Sequence, residues 1–202
     1  MTTPHRRARL ERCAAQRIEG IRFAFERTAD LHNTSAAIRS LEALGLPHID
    51  IVEPTGRGAR VDEKVAIGAS KWVHLSRYDT TDDWLRHVRT TTTRLWVSYL
   101  PDGASAGRDL RDWTPDEGPT TFVFGNEYAG VSATMLAAAD CTFTIPMYGM
   151  VQSYNLSVSA SLVAWHVRQQ IESLGDSGPW HLHPNAQTSL LRTWTYDQDY
   201  HP

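Results

Sequence analysis

Short apolar runs alternate along this chain with stretches in which apolar residues recur at helical intervals. Leu10, Cys13, Ala14 and Ile18 share one helical face, so residues 6–19 are expected to form an amphipathic N-terminal helix. The run Ile-Arg-Phe-Ala-Phe at 21–25 predicts a first strand, and Ile-Asp-Ile-Val at 49–52 a second. Between them Asn33 can cap a helix reaching Leu44, with Gly45 supplying the left-handed residue past its end. After a loop at 53–60, a short helix is expected over 61–69 and a short strand over 72–75. Thr81 can cap a helix through Val88, and 95–99 reads as a strand. Residues 101–119 are rich in Pro, Gly and Asp and read as one long loop. A strand at 121–124, a helix at 132–139 and a strand at 141–145 follow. A loop at 146–153 then leads into a long helix from 155 to 173, and a linker at 175–184 into a last helix at 185–194.

Strand and helix in alternation imply an α/β fold, a mostly parallel sheet with helices on both faces. Three domain segments are expected: a basic helical extension at 1–20, the α/β domain at 21–173, and a C-terminal extension at 174–202. Ligands of such sheets sit beyond the carboxyl ends of strands. Three loops occupy those places: 32–39, 125–132 and 146–155.

Composition narrows the setting. A chain of 202 residues that is 41% apolar and 21% charged matches ordinary globular usage and can bury a core. No run approaches the ~20 apolar residues of a membrane span, and no apolar segment follows the first arginines, so no signal peptide is expected. Cys13 and Cys141 form no CxxC pair, which suits a reduced, cytoplasmic protein. The net charge of −3 does not advertise a polyanion partner, but its distribution is uneven. Residues 1–27 carry Arg6, Arg7, Arg9, Arg12, Arg17, Arg22 and Arg27 against Glu11, Glu19 and Glu26. The tail from residue 172 carries Arg192 against Glu172, Asp176, Asp197 and Asp199. Every cation except Lys64 and Lys71 is arginine, whose planar fork suits phosphate. A solvated helix face is the plainer explanation of the charge alone.

The loop at 125–132, Gly-Asn-Glu-Tyr-Ala-Gly-Val-Ser, nearly satisfies the phosphate-binding pattern GxxxxGK[ST], but Val131 stands where the lysine belongs. An NTPase therefore lacks its main phosphate counter-ion, and GxGxxG is absent too. What remains is a glycine-bracketed turn with Glu127 at its tip. The segment Ile145-Pro-Met147-Tyr-Gly-Met-Val-Gln-Ser153-Tyr154-Asn155-Leu156-Ser157 enters the long helix, and Ser153 or Asn155 can cap it. Such a cap does not need so long a loop. In the first loop, Arg39 follows Asn33 by six positions, about 240° round a helix, so the two do not share a face. Nine histidines include His181 and His183, but no carboxylate or cysteine accompanies that pair at ligand spacing, and no metal is expected.

Together the three loops resemble the three motifs of the TrmH-type branch of the SPOUT methyltransferases. The first pairs an asparagine with an arginine six positions on, as in Asn33 and Arg39. The second is a strand followed by G-N-E-x-x-G, as in Gly125-Asn126-Glu127 and Gly130; the third runs from Ile145 to Ser157, with Tyr154 where the pattern carries leucine. The resemblance covers roughly residues 20–172 and implies a C-terminal trefoil knot, an obligate homodimer and S-adenosylmethionine bound in the knot. By position it implies Ser98, Gly125, Ile145, Met147, Tyr154 and Leu156 as cofactor contacts, many through backbone.

The reaction implied is methyl transfer to a ribose 2′-hydroxyl of RNA. Arg39 would stabilise the developing alkoxide, since a guanidinium charged to about pH 12 is a poor general base. Asn33 and Asn155 would orient ribose and loops, Ser153 would bond within the site, and Glu127 would fix the loops or Arg39. Arg6, Arg7, Arg9, Arg12 and His32 are the candidate RNA contacts. Relatives that modify ribosomal RNA often carry an added N-terminal RNA-binding domain, for which this chain has no room. Its short helical extensions, Gly68–Trp72 and Leu190-Leu191-x-x-Trp194 resemble enzymes acting on the conserved D-loop guanosine of tRNA, guanosine 18. The rival readings are the same chemistry on ribosomal RNA and a catalytically silent knotted RNA-binding module.

Overall fold

The computed structural model describes residues 3–28, 30–53, 61–91, 93–100, 107–175 and 180–196. Most of the expected loop at 53–60, the start of that at 101–119, and the tail carboxylates Asp176, Asp197 and Asp199 lie outside the described residues.

The strands are β1 (Ile21–Glu26), β2 (His48–Val52), β3 (His74–Tyr78), β4 (Arg94–Ser98), β5 (Arg108–Asp109), β6 (Thr120–Phe124) and β7 (Cys141–Thr144). They form one parallel sheet in the order β3-β2-β1-β6-β4-β7-β5. The helices are α1 (Pro4–Ala15), α2 (Leu31–Ala43), α3 (Glu63–Ala66), α4 (Thr81–Val88), α5 (Ala133–Ala138), α6 (Leu156–Glu172) and α7 (Pro184–Tyr196).

Strand residues alternate between two cores, as a pleated sheet covered on both faces requires. Phe23, Phe25, Trp96, Phe122, Phe124 and Phe143 meet Ile38 and Leu41 of α2 and Ala160, Val163 and Val167 of α6. Their neighbours in sequence, Ala24, Leu95, Val97 and Val123, face Trp84 and Val88 of α4 and Met135 of α5. The aromatic residues thus fill the α2–α6 side, and the smaller ones let α4 and α5 approach the other.

Several sequence expectations shift. The first helix ends at Ala15 rather than at 19, because Arg17 turns inward. Its guanidinium donates to Glu42 (3.0 Å) and to the carbonyl of Trp72 (2.9 Å) and lies over the Trp194 ring. Arg22 similarly donates to the buried Asp50 at 2.7 Å. Asp30, not Asn33, caps α2, its side chain accepting from the His32 amide at 2.8 Å. The cap of α4 is Thr80, one residue earlier than expected. The expected helix at 61–69 stops when Ile67 and Gly68 turn left-handed, and a 3-10 turn carries the chain through Trp72 before β3 starts at His74. The region expected to be one long loop contains β5 and two 3-10 turns, Leu110–Asp112 and Pro115–Glu117.

The first and last helices pack together. Leu10 and Ala14 of α1 form a small cluster with Trp194 of α7, against which the Trp72 ring stands edge-on at 5.3 Å. Among the described residues, no helix is long and apolar enough to cross a membrane.

Candidate active site

Chemistry-bearing loops gather beyond the carboxyl ends of β1, β4, β6 and β7. After β6 the backbone folds on itself so closely that a Cβ on Gly125 would lie 2.3 Å from both the Gly130 carbonyl carbon and the Val131 nitrogen. Only glycine fits there. The turn is zipped by Asn126 N–H to Gly130 O (2.9 Å) and Gly130 N–H to Asn126 O (2.8 Å). Asn126 also accepts the amides of Tyr128 and Ala129, each at 2.9 Å, and donates to the carbonyl of Arg27 at 2.9 Å. Arg27 itself sits in left-handed backbone, φ 53°, at the end of β1.

The far end of this loop is anchored by Glu26, fully buried at the last position of β1. Its carboxylate accepts from the Ser132 amide (2.8 Å), the Ser132 hydroxyl (2.7 Å) and the Thr81 hydroxyl. Ser132 in turn caps α5 through the Met135 amide. Sequence reasoning singled out neither Asn126 nor Glu26 as site residues. The available signals were an asparagine beside a glycine in a turn, and a carboxylate ending a strand directly after the apolar run Phe23-Ala24-Phe25.

The loop after β7 closes the opposite wall. Tyr154 donates its hydroxyl to the Pro146 carbonyl at 3.0 Å, bridging the loop in a way the leucine of the family pattern cannot. Asn155 caps α6, its side-chain oxygen accepting from the Ser157 amide (2.9 Å) and hydroxyl (2.6 Å). Beside this loop Arg111 is gripped by Asp109 and reaches the Tyr148 hydroxyl at 3.4 Å. The Asp109 bond raises the Arg111 pKa above its ordinary range and lowers that of Asp109.

Because Asp30 does the capping, the Asn33 amide is released for the site. It donates to Glu127 Oε1 at 2.9 Å and accepts from Asn155 Nδ2 at 2.9 Å. The three motifs are therefore joined by one chain of side-chain hydrogen bonds, Asn155 to Asn33 to Glu127.

Between the two loops lies a cavity of about 340 Å3, at the lower end of the range for small-molecule sites. Its wall includes all six residues expected to contact a cofactor: Ser98, Gly125, Ile145, Met147, Tyr154 and Leu156. Glu127 and Ser153 line it as well. The wall is mixed, with bare backbone at Gly125 and Gly130 and apolar side chains at Leu100, Val131 and Ile145.

Arg39 is elsewhere. It is exposed on α2 and lines a separate groove with His32, Ala36, Ser40, Ala43, Lys64 and Val65. Within one chain the expected catalytic set is thus split: Asn33, Glu127, Ser153 and Asn155 come together, and Arg39 does not join them. Arg6, Arg7, Arg9 and Arg12 are exposed on α1, with Arg7 paired to Glu11 at 3.0 Å. Of the paired histidines, His181 bridges to Ile18 in backbone pairing and His183 accepts the Asn185 amide. Among the described residues, no group of three or more His, Cys, Asp or Glu is arranged to hold a metal.

The sequence and fold that build this glycine-lined cavity, braced by an Asn–Asn–Glu chain, match those of known proteins. The sequence model of the SpoU rRNA Methylase family matches residues 20–165, and the chain belongs to that family. It is 31% identical over 192 residues to the tRNA (guanosine(18)-2′-O)-methyltransferase of Thermus thermophilus, covering 95% of this chain and 96% of that protein. With the tRNA (guanosine(18)-2′-O)-methyltransferase of Escherichia coli K12 it shares 32% identity over 172 residues, 85% of this chain and 73% of that one. Its fold matches that of the TrmH/SpoU tRNA-modifying enzyme of A. aeolicus with a TM-score of 0.84 at 26% identity, covering 98% of both chains.

Proposed function

We propose that this chain is an S-adenosylmethionine-dependent RNA ribose 2′-O-methyltransferase of the cytoplasm that acts on tRNA at the conserved D-loop guanosine, position 18. The observation that carries the reading is the Asn155–Asn33–Glu127 chain at the glycine-walled cavity. Similarity over nearly the whole chain to proteins named for that tRNA position supports the substrate over ribosomal RNA.

The cavity suits the cofactor chemically. Gly125 and Gly130 let backbone amides and carbonyls approach an adenosine closely, and Leu100, Val131 and Ile145 offer apolar surface to a base. Bound there, S-adenosylmethionine supplies a methyl group already activated by its sulfonium. The protein's remaining tasks are alignment and the fate of the hydroxyl proton. Asn33 is held on both sides, so its orientation is fixed before substrate arrives. Glu127 is a hydrogen-bond acceptor in that chain, and Ser153 offers a hydroxyl in the cavity wall.

Arg39 supplies fixed positive charge for the developing 2′-alkoxide and an adjacent phosphate, and an RNA phosphate or water takes the proton. Because Arg39 lies outside its own chain's cavity, the site is completed by the partner's Arg39 in a homodimer. Val158, Leu162 and Trp165 support that assembly: they form one exposed apolar stripe on α6, with Trp165 57% exposed. The insertion of β7 between β4 and β5 supports the threading of a C-terminal knot. The packed first and last helices, bearing Arg6, Arg7, Arg9 and Arg12, form an RNA-binding appendage to the α/β domain of residues 21–173.

The test is incubation of the protein with labelled S-adenosylmethionine and total RNA, followed by mapping of the methylated ribose. Methyl incorporation at guanosine 18 is expected. Label appearing only in ribosomal RNA would move the substrate, and cofactor binding without incorporation would mark a silent module. Arg39→Lys should lose most turnover; near-parental turnover would reject the bidentate role. Trp165→Glu should yield monomers in sedimentation and abolish turnover with each chain still folded.

A further inference from the structure

The groove that carries Arg39 has a third basic side chain that the three motifs do not contain. Lys64 of α3 lines it opposite His32 and Arg39, and the other lining residues are Ala36, Ser40, Ala43 and Val65. Among the described residues, every ionisable group in that wall is a cation or can become one, and no carboxylate lines it. Lys64 is exposed, and among the described residues its ammonium has no hydrogen-bond or ion-pair partner. Its acidic neighbours are occupied locally: Asp62 accepts the Lys64 amide at 3.0 Å, and Glu63 accepts the Ser70 hydroxyl at 2.6 Å.

The placement of Lys64 is built into the fold. The Asp62 amide donates to the Ser35 hydroxyl at 2.8 Å, and Ser35 is fully buried on α2 between Asn33 and Arg39. This bond ties the start of α3 to the catalytic helix. Left-handed backbone at Ile67 and Gly68 then ends α3 and carries the chain away. The result is a short platform fixed against α2 that presents one cation to the Arg39 groove.

We propose that Lys64 contacts a phosphodiester of the RNA substrate, adjacent to the nucleotide whose ribose is presented to Arg39. An RNA backbone fits the groove because its charges repeat: one phosphate at Arg39 brings the next within the same cationic trough. Lys64 is then a substrate-binding residue that sets the register of the RNA strand on α2. This inference rests on the RNA-methyltransferase reading above.

The experiment measures tRNA binding of the parent, Lys64→Gln and Lys64→Arg as a function of salt, with methyl transfer and cofactor affinity alongside. Lys64→Gln is expected to bind tRNA about 5-fold more weakly near 0.1 M salt, with the salt slope reduced by about 1. Its KM for tRNA should rise while kcat at saturating tRNA and the affinity for S-adenosylmethionine hold. Lys64→Arg should keep the parental slope. Parental affinity and slope in Lys64→Gln, or an equal loss in Lys64→Arg, would overturn the proposal. The binding arm does not require turnover. A parent that binds tRNA but transfers no methyl would therefore sink the functional reading separately, leaving the Lys64 contact to be judged on its salt slope.

Discussion

Replacing Gly125 by alanine probes the tightest point of the cavity wall. The added Cβ would lie 2.3 Å from two backbone atoms of the Gly130–Val131 segment, whereas relaxed carbon contacts need about 3.5–4.0 Å. Backbone cannot rotate away as a side-chain tip can, so one arm of the turn must move by about 1 Å. The two bonds that zip the turn, at 2.9 and 2.8 Å, lie directly between those arms. At about 1 kcal/mol each, their loss costs about 2 kcal/mol. Charged to the binding-competent loop, that is about 30-fold in cofactor dissociation constant. The Glu26–Ser132 anchor and the β6 ladder lie outside the strained turn, so the melting temperature should fall by only about 4–8 °C. Titration calorimetry with S-adenosylmethionine and a thermal melt measure the two effects. A folded Gly125→Ala protein that binds cofactor within about threefold of the parent would refute the argument.

The Asn33–Asn155 link can be isolated by a double-mutant cycle, in which Asn33→Ala and Asn155→Ala should show a coupling of about 1 kcal/mol in transition-state free energy. Additive effects on single-turnover methyl transfer would mean that the bond does not organise the site. Glu26→Gln should be tolerated, because the Ser132 and Thr81 hydroxyls can turn to accept from the new amide, whereas Glu26→Leu orphans the Ser132 amide and should unfold in urea with about 2 kcal/mol less stability. Equal stability of the two would contradict that account. His74 stacks on His48 at 5.1 Å, and loss of water around its ring, followed by the charge of His48, lowers its pKa. The unfolded chain therefore binds the His74 proton more readily, so stability held above the ordinary histidine value of about 6.5 is lost as pH falls through the lower folded value. The pH dependence of melting between about 7 and 5 should flatten in His74→Gln, and an unchanged slope would point to another group.

Much of the fold could be read from the chain, since strand and helix periods differ and the parallel sheet buries both faces. All six expected cofactor contacts lie on one cavity wall because Ser98, Gly125, Ile145 and Met147 stand at or just past strand ends and Tyr154 and Leu156 stand where the loop after β7 enters α6, and such placement survives small errors in element boundaries. Where local and long-range interactions compete, the sequence was a weaker guide. Asn33 has the chemistry of a helix cap, but Asp30 takes that role and leaves Asn33 to bond Glu127 and Asn155, far away in sequence. Arg17 reads as part of a basic head, yet it is spent on Glu42, Trp72 and Trp194. Strand β5 is too short to have a period, and exists because β7 offers its edge.

By itself the sequence determined the alternating α/β architecture, the glycine-walled turn from Gly125 to Gly130, and which residue types reach the strand ends. Those are consequences of period, backbone freedom and spacing, all local along the chain. Only the tertiary structure decided that the three motifs meet through one hydrogen-bonded line, and that Arg39 stands apart in a groove with Lys64. Hydrogen-bond partners and electrostatic neighbours are set by distances across the fold, which residue order does not encode.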